Sequence, residues 1–287
     1  MDKILIKDSQ SGISTISVQI QRLVETKQCQ GGDLHEAHLA RLNLNGADLS
    51  GAKLLFANLN STQLRAAKLI GTDLCFATLV AADLVDAIII GADLKGVNLL
   101  QAQLQGANLN GTDLGFSNLV KANLSQANLN GAILDGANLI GANLIAANLV
   151  GADLEGANFG QATLRMANLS NSNLSHARLV NADLTEVNFS GANLTNANLV
   201  NANLAGANLT GANLTGANLS EANLEGAILD GVIGLYPAHQ AAIKPAPEVP
   251  QRNLLPSHIN SEFRIPYRPK QNSLANINFS LPLLKVN

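Results

Sequence analysis

The chain has 287 residues, with 18 Lys and Arg against 21 Asp and Glu for a formal net charge of −3. Charged residues make up 14% and aromatics 3%, with no tryptophan, where ordinary globular domains carry about 25% charged residues. This balance excludes a core built on large aromatics. No apolar run approaches the roughly 20 residues that cross a bilayer, and two cysteines, Cys29 and Cys75, are too few for a disulfide framework.

The opening stretch, "MDKILIKDSQSGIST", has neither a long apolar segment nor a small-residue cleavage site, so the expected compartment is the cytoplasm. From Ile13 to Lys27 the apolar residues Ile13, Ile16, Ile20, Leu23 and Val24 fall at near-helical spacing, with Ser, Gln and Arg between them. This spacing predicts a short amphipathic helix that caps the first turn of whatever follows. Its polar face carries only Arg22, Glu25 and Lys27, too little charge for a membrane-surface helix.

A repeat then begins. From Leu34 to Leu229 every fifth residue is Leu, Ile or Phe, and the only departures from Leu are Ile89, Phe159 and Phe189. Two residues before each, Ala fills 31 of 40 places, with Gly32, Leu42, Thr62, Thr72, Val97, Thr112, Ser117, Ser172 and Val187 in the rest. A period of five is neither helical nor strand-like. Residues two apart share one side of an extended chain, so the Ala and Leu of each "ANL" triplet face inward and the Asn between them faces out. The other two positions, often Gly, Ser, Thr or Asn, suit a bend. Each pentapeptide is therefore one short edge and one corner.

Columns at a stride of 20 give the number of edges per turn. Eight aspartates precede a central Leu, and Asp33, Asp73, Asp93, Asp113 and Asp153 are all separated by multiples of 20, as are Phe56, Phe76 and Phe116. Four pentapeptides per turn follows. About ten coils, spaced about 4.8 Å apart, would stack into about 48 Å, with Leu burial of about 1.5–3 kcal/mol each in place of aromatics.

The A-(N/D)-L-x-x pattern, as in "ANLTG", "ADLEG" and "ANLVN", resembles the pentapeptide-repeat family of cyanobacterial type. The resemblance implies an all-β fold, a right-handed quadrilateral parallel β-helix, over residues 33–232. It implies little about function. The lead-in "RLVETKQCQGGDL" is also similar to that of some cyanobacterial relatives in which C-x-x-C precedes the first coil; here Cys29 is present and Gly32 stands in the second place.

All eight prolines lie after Gly231. Proline cannot donate into a ladder, so the β-helix is expected to end there. Residues 233–287 read as a Pro-rich, extended or disordered tail. Leu254, Leu255, Phe263, Ile265 and Tyr267 are candidates for a cap or a linear motif, and the tail's six bases and two acids suggest a cover for an acidic face.

No catalytic constellation stands out. His35 and His38 are close, with Glu36 between them, but they take bend or opposite-facing positions, as solvated residues do. Glycines recur at bends without a following helix, so they are not phosphate loops. Carboxylates spread along a convex surface have no pocket to work in. The expectation is no enzyme, no cofactor and no metal.

Two faces carry what differentiation there is. Asp73, Asp93, Asp113, Asp135 and Asp153, with Asp33, Glu36 and Glu155, form an acidic face opposed only by Lys53 and Lys95, and Phe56, Phe76 and Phe116 lie at its corner. The next face carries an aliphatic column, Val80, Leu100, Val120, Ile140, Val180 and Val200, interrupted by Gly160 and flanked by an Asn ladder. Exposed apolar columns mark contact surfaces. The function expected is a structural or protein-interaction module that offers flat faces to a protein partner or a second copy, with no direct nucleic acid and no membrane span. The alternative is a DNA mimic acting on an enzyme such as gyrase, a role the resemblance brings with it. The repeat's 16 acids and 8 bases make a thin imitation of a duplex that carries one charge per about 1.7 Å.

Overall fold

The computed structural model describes residues 15–235. Ile13, the expected helix start before Thr15 and the tail from 236 onward lie outside the described residues. One helix, α1 (Thr15–Thr26), opens the described chain. Ile16, Ile20 and Leu23 lie at i, i+4 and i+7, on one helical face; Leu23 is fully buried and the two isoleucines pack against the core. Lys27 ends the helix in the left-handed conformation (φ 60°), its N–H still bonded to Leu23 O at 2.9 Å.

From Gln28 onward the chain forms single parallel bridges, one per pentapeptide, each joining a residue to the one 20 further on, from Gln28↔Asp48 to Asn213↔Ile233. The coil therefore closes every 20 residues, after four edges. The edges are so short that only the middle residue of each forms a bridge.

Residues 98–102 show how the backbone is satisfied. Asn98 N–H donates to Ala77 O in the preceding coil, and Leu99 and Gln101 donate to Asn118 O and Val120 O in the following one. Ala102 N–H closes a turn onto Leu99 O at 2.9 Å. The fifth N–H, of Leu100, is left over, and Asn98 Oδ1 accepts it at 3.2 Å. The same i→i+2 bond recurs at Asn118, Asn138 and Asn158, and at Asp73, Asp93, Asp113 and Asp153. Asn or Asp between Ala and Leu is thus a cap for the one donor that the ladder cannot serve.

The corner has its own requirement. Every fifth residue from Gly31 to Gly231 has positive φ, at the third place of a turn closed by an i→i+3 bond, the place where a type II turn demands it. Inside, the Leu and Ala columns are almost wholly buried, and Phe159 and Phe189 fit the Leu column without exposure. Where Ala gives way to Thr62, Thr72, Thr112 or Ser172, the hydroxyl donates to a backbone carbonyl at 2.7–3.0 Å. Ser117 Oγ is buried without a partner.

Candidate functional site

With the interior filled by alkyl groups, chemistry is confined to the outward columns. The Leu-column place of the first coil is taken by Cys29, which is buried and whose thiol is held above its ordinary pKa by that burial. A Cβ on residue 32 would stand 2.3 Å from its Sγ. The thiol fills the space where the inward alanine would sit, and that is why glycine is there. Cys75 is half-buried, and its pKa is pushed up to about 12, first by desolvation and then by hydrogen bonding to Asp93 and Asp73. At Cys29 burial outweighs the opposing pull of the nearby Arg22, and Cys75 faces carboxylates, so neither thiol is poised as a reactive thiolate.

His35 Nδ1 lies 2.9 Å from Asp33 Oδ1 and holds that carboxyl below its ordinary value. His38 is exposed and bridges through its backbone to Asn58. Among the described residues no group of three or more His, Cys, Asp or Glu is placed to hold a metal ion.

The acidic face is assembled in register. Asp73, Asp93 and Asp113 bridge to one another in consecutive coils, Asp113 then bridges to Ile133 and Ile133 to Asp153. The column is therefore broken by Ile133, which is exposed. Lys95 Nζ lies 3.5 Å from Asp113 Oδ2, an exposed pair of small energetic weight. Asp135 comes from the neighbouring column, and its carboxylate converges with that of Asp113 over Gly115. Because Asp73, Asp93, Asp113 and Asp153 each cap a turn N–H, the fold needs a side-chain acceptor at these places. It does not need a charge, since Asn serves equally elsewhere.

The aliphatic column sits differently from the sequence expectation of an exposed strip. Val80, Leu100, Val120, Ile140, Val180 and Val200 are all half-buried. They occupy the second place of the turn, where side chains lean on the adjoining coil: a Cβ at Gly160 would lie 3.8 Å from Ile140 Cγ1. Much of their surface is therefore spent on coil-to-coil packing. The Asn ladder beside them is likewise internal, with Asn118 Nδ2 donating to Asn98 Oδ1 at 3.0 Å.

The phenylalanines are the opposite case. Phe56, Phe76 and Phe116 are 56%, 53% and 66% exposed, at corners with φ of 56°, 54° and 56°. Phe56 and Phe76 stack at 5.6 Å between ring centroids and 19° between planes. The Phe76 ring then extends over Gly96, whose hypothetical Cβ would meet it at 2.5 Å, and Phe116 lies over Gly136 in the same way at 2.8 Å. A side chain in the left-handed conformation costs about 1–2 kcal/mol per residue. One aromatic pair returns only about 0.5–1.5 kcal/mol, so stacking does not offset the strain of three. Exposure at corners also picks out Met166 at 61%, a residue the sequence reading passed over because it falls outside the columns it sorted.

The pentapeptide-repeat family model matches the chain in eight overlapping copies, from residues 28–64 to 197–233. The chain belongs to the pentapeptide-repeat family. Such proteins are generally structural or interaction modules, and no catalytic family is indicated. No curated protein matches the chain. Among solved structures it is similar to HetL, a pentapeptide repeat protein involved in heterocyst differentiation regulation from the cyanobacterium Nostoc sp. strain PCC 7120. The two are 35% identical over 74% of this chain and 94% of HetL, with a TM-score of 0.37. A pentapeptide repeat protein from the Arabidopsis thaliana thylakoid lumen is 36% identical over 35% of this chain and 67% of its own, with a TM-score of 0.28. Rfr23 of the cyanobacterium Cyanothece 51142 is 44% identical over 33% of this chain and 63% of its own, with a TM-score of 0.20. No helix among the described residues is long and apolar enough to cross a membrane.

Proposed function

We propose that this pentapeptide-repeat protein is a non-enzymatic interaction module, a right-handed quadrilateral β-helix of about ten coils that presents flat faces to a protein partner or a second copy. Residues 1–32 serve as the lead-in carrying α1, 33–232 as the repeat body and 233–287 as the Pro-rich tail. A cytoplasmic setting is supported by Cys29 and Cys75 both being free thiols.

The observation that carries this reading is the filled interior. Leu and Ala seal it from end to end, and each outward side chain is repeated, or pointedly not repeated, 20 residues on. A surface of registered columns distinguishes partners by which residues it displays, not by a cleft. The DNA-mimic alternative draws less support, because Lys53 and Ile133 interrupt the central acidic column and Lys95 pairs with Asp113.

The test is a face-by-face comparison. Full-length protein and four variants, each with the exposed residues of one face exchanged, are used to retain partners from the native cell extract. One face's variant is expected to lose a protein that the other three keep. Light scattering of the wild type and of Leu100→Lys, Val120→Lys checks self-association through the aliphatic face. Identical retained sets in all variants, together with monomers throughout, would overturn the interaction reading.

A further inference from the structure

The fold offers no reason for the exposed phenylalanine corner. Glycine meets its backbone requirement without strain, and downstream in the same column Gly136, Gly156 and Gly216 do so. Three of the five phenylalanines between residues 33 and 232 stand at this corner instead, while the other two, Phe159 and Phe189, are buried. Because the rings of Phe76 and Phe116 cover the glycines that follow them, Phe56, Phe76 and Phe116 make an aromatic ridge running coil to coil.

The two flanks of this ridge differ in charge. On one side stand Asp73, Asp93 and Asp113, with Asp135 beside Phe116. Lys53 precedes them in the column and Lys95 pairs with Asp113, so four acids face two bases and that flank stays net negative. On the other side stand Asn58, Thr78, Asn98 and Asn118, all uncharged. We infer that the ridge docks a basic polypeptide segment, arginine-rich with intervening apolar residues. A guanidinium is planar and weakly hydrated, so it can lie on a ring face while its N–H groups reach a carboxylate beside it. Apolar residues between the arginines cover the ring edges. The same carboxylates repel nucleic-acid phosphates and anionic lipid surfaces, which leaves a cationic protein as the occupant.

This inference rests on the interaction reading above and names the partner's chemistry for one corner. The fold supplies variants that remove each component without unfolding the chain. Asn keeps the turn cap at Asp73, Asp93 and Asp113, and Gly relieves the strain at Phe56, Phe76 and Phe116.

The experiment is fluorescence anisotropy of a labelled short peptide of alternating arginine and leucine, titrated with the full chain at low and high salt. A citrulline–leucine peptide serves as the uncharged counterpart. The arginine peptide is expected to bind and the citrulline peptide not. Affinity should fall about tenfold or more in the triple Phe→Gly variant at both salt concentrations. The triple Asp→Asn variant should lose both affinity and salt dependence. Thermal melts of both variants establish that they fold. Binding that survives Phe→Gly, whether or not it is lost in Asp→Asn, overturns the ridge, as does equal binding of the citrulline peptide. Absence of peptide binding overturns this inference alone, since the interaction reading is decided by the face-by-face comparison.

Discussion

Two corner columns of the same coil share one backbone conformation and differ in everything else. At the glycine corner, Gly71, Gly91, Gly111, Gly131 and Gly151 have φ between 59° and 65°, and a Cβ there would meet nothing within 4 Å. At the phenylalanine corner, Phe56, Phe76 and Phe116 adopt nearly the same φ with large exposed rings. Glycine there is therefore favoured by backbone conformation and not demanded by space, and other corners carry polar side chains at the same φ. Conformation imposes the same preference at the second corner, where phenylalanine departs from it. The lesson is that the corner's φ, which many polar residues share, does not mark a recognition site; large apolar rings held exposed there do.

Interior deletions next to either corner set the scale for that comparison. Leu109 precedes the glycine corner at Gly111 and Leu114 the phenylalanine corner at Phe116, and both are fully buried. Leu109→Ala and Leu114→Ala should each lose about 2–5 kcal/mol in urea unfolding. The two losses should be equal within error, and a marked difference would show that the corner residue supports the core after all.

Exchanging the corners should give opposite signs. Gly111→Phe imposes the left-handed strain and should lose about 1–2 kcal/mol. Phe116→Gly relieves that strain, and the backbone entropy of glycine, roughly 0.5–1 kcal/mol, takes part of it back. A small net gain in the urea midpoint is expected. A loss there would mean that Phe116 is a packing residue.

The inward position after each corner offers a finer contrast. Thr112 Oγ1 donates to Leu109 O at 2.8 Å, whereas Ser117 Oγ is buried without a partner. Thr112→Ala should destabilise by about 1 kcal/mol, and Ser117→Ala should stabilise by up to about 1 kcal/mol, because only the first gives up a made bond. Melting temperatures moving in the same direction would contradict the assignment.

The effect that is smallest at neutral pH is a pH dependence at the acidic face, since it emerges only in alkali. The pKa of Cys75 rises from 9.0 to about 12 on folding, so the folded state holds its proton where the unfolded state releases it. The stability this confers is complete below pH 9.0 and is lost as the pH rises toward about 12. Cys75→Ala should flatten that alkaline decline in denaturant titrations, and an unchanged slope would mean that the thiol is not shielded.

Much of the fold was legible in the chain. An unbroken period of five, with Ala and Leu two apart, identifies nearly every buried position of the repeat because side-chain direction alternates along an extended edge. Leu42 and the last coil's Ala227 and Leu229 are only partly buried, and Gly115 is buried outside the pattern. The stride of 20 in Asp and Phe matches the bridge register for the same reason: like residues stack on like. The Asn was read as merely outward, and its service to the fifth N–H was not visible, because that orphan donor exists only once the turn is closed. The aliphatic and phenylalanine columns looked alike as exposed apolar strips. Their difference comes from whether a side chain leaves the second or the third place of the turn.

By itself, then, the sequence determined the repeat, its core and the alignment of its columns, since these follow from local periodicity and hydrophobic burial alone. Tertiary structure decided which outward residues are available to a partner. Availability depends on the direction of the corner and on the neighbouring coil, 20 residues away in sequence and in contact only after stacking.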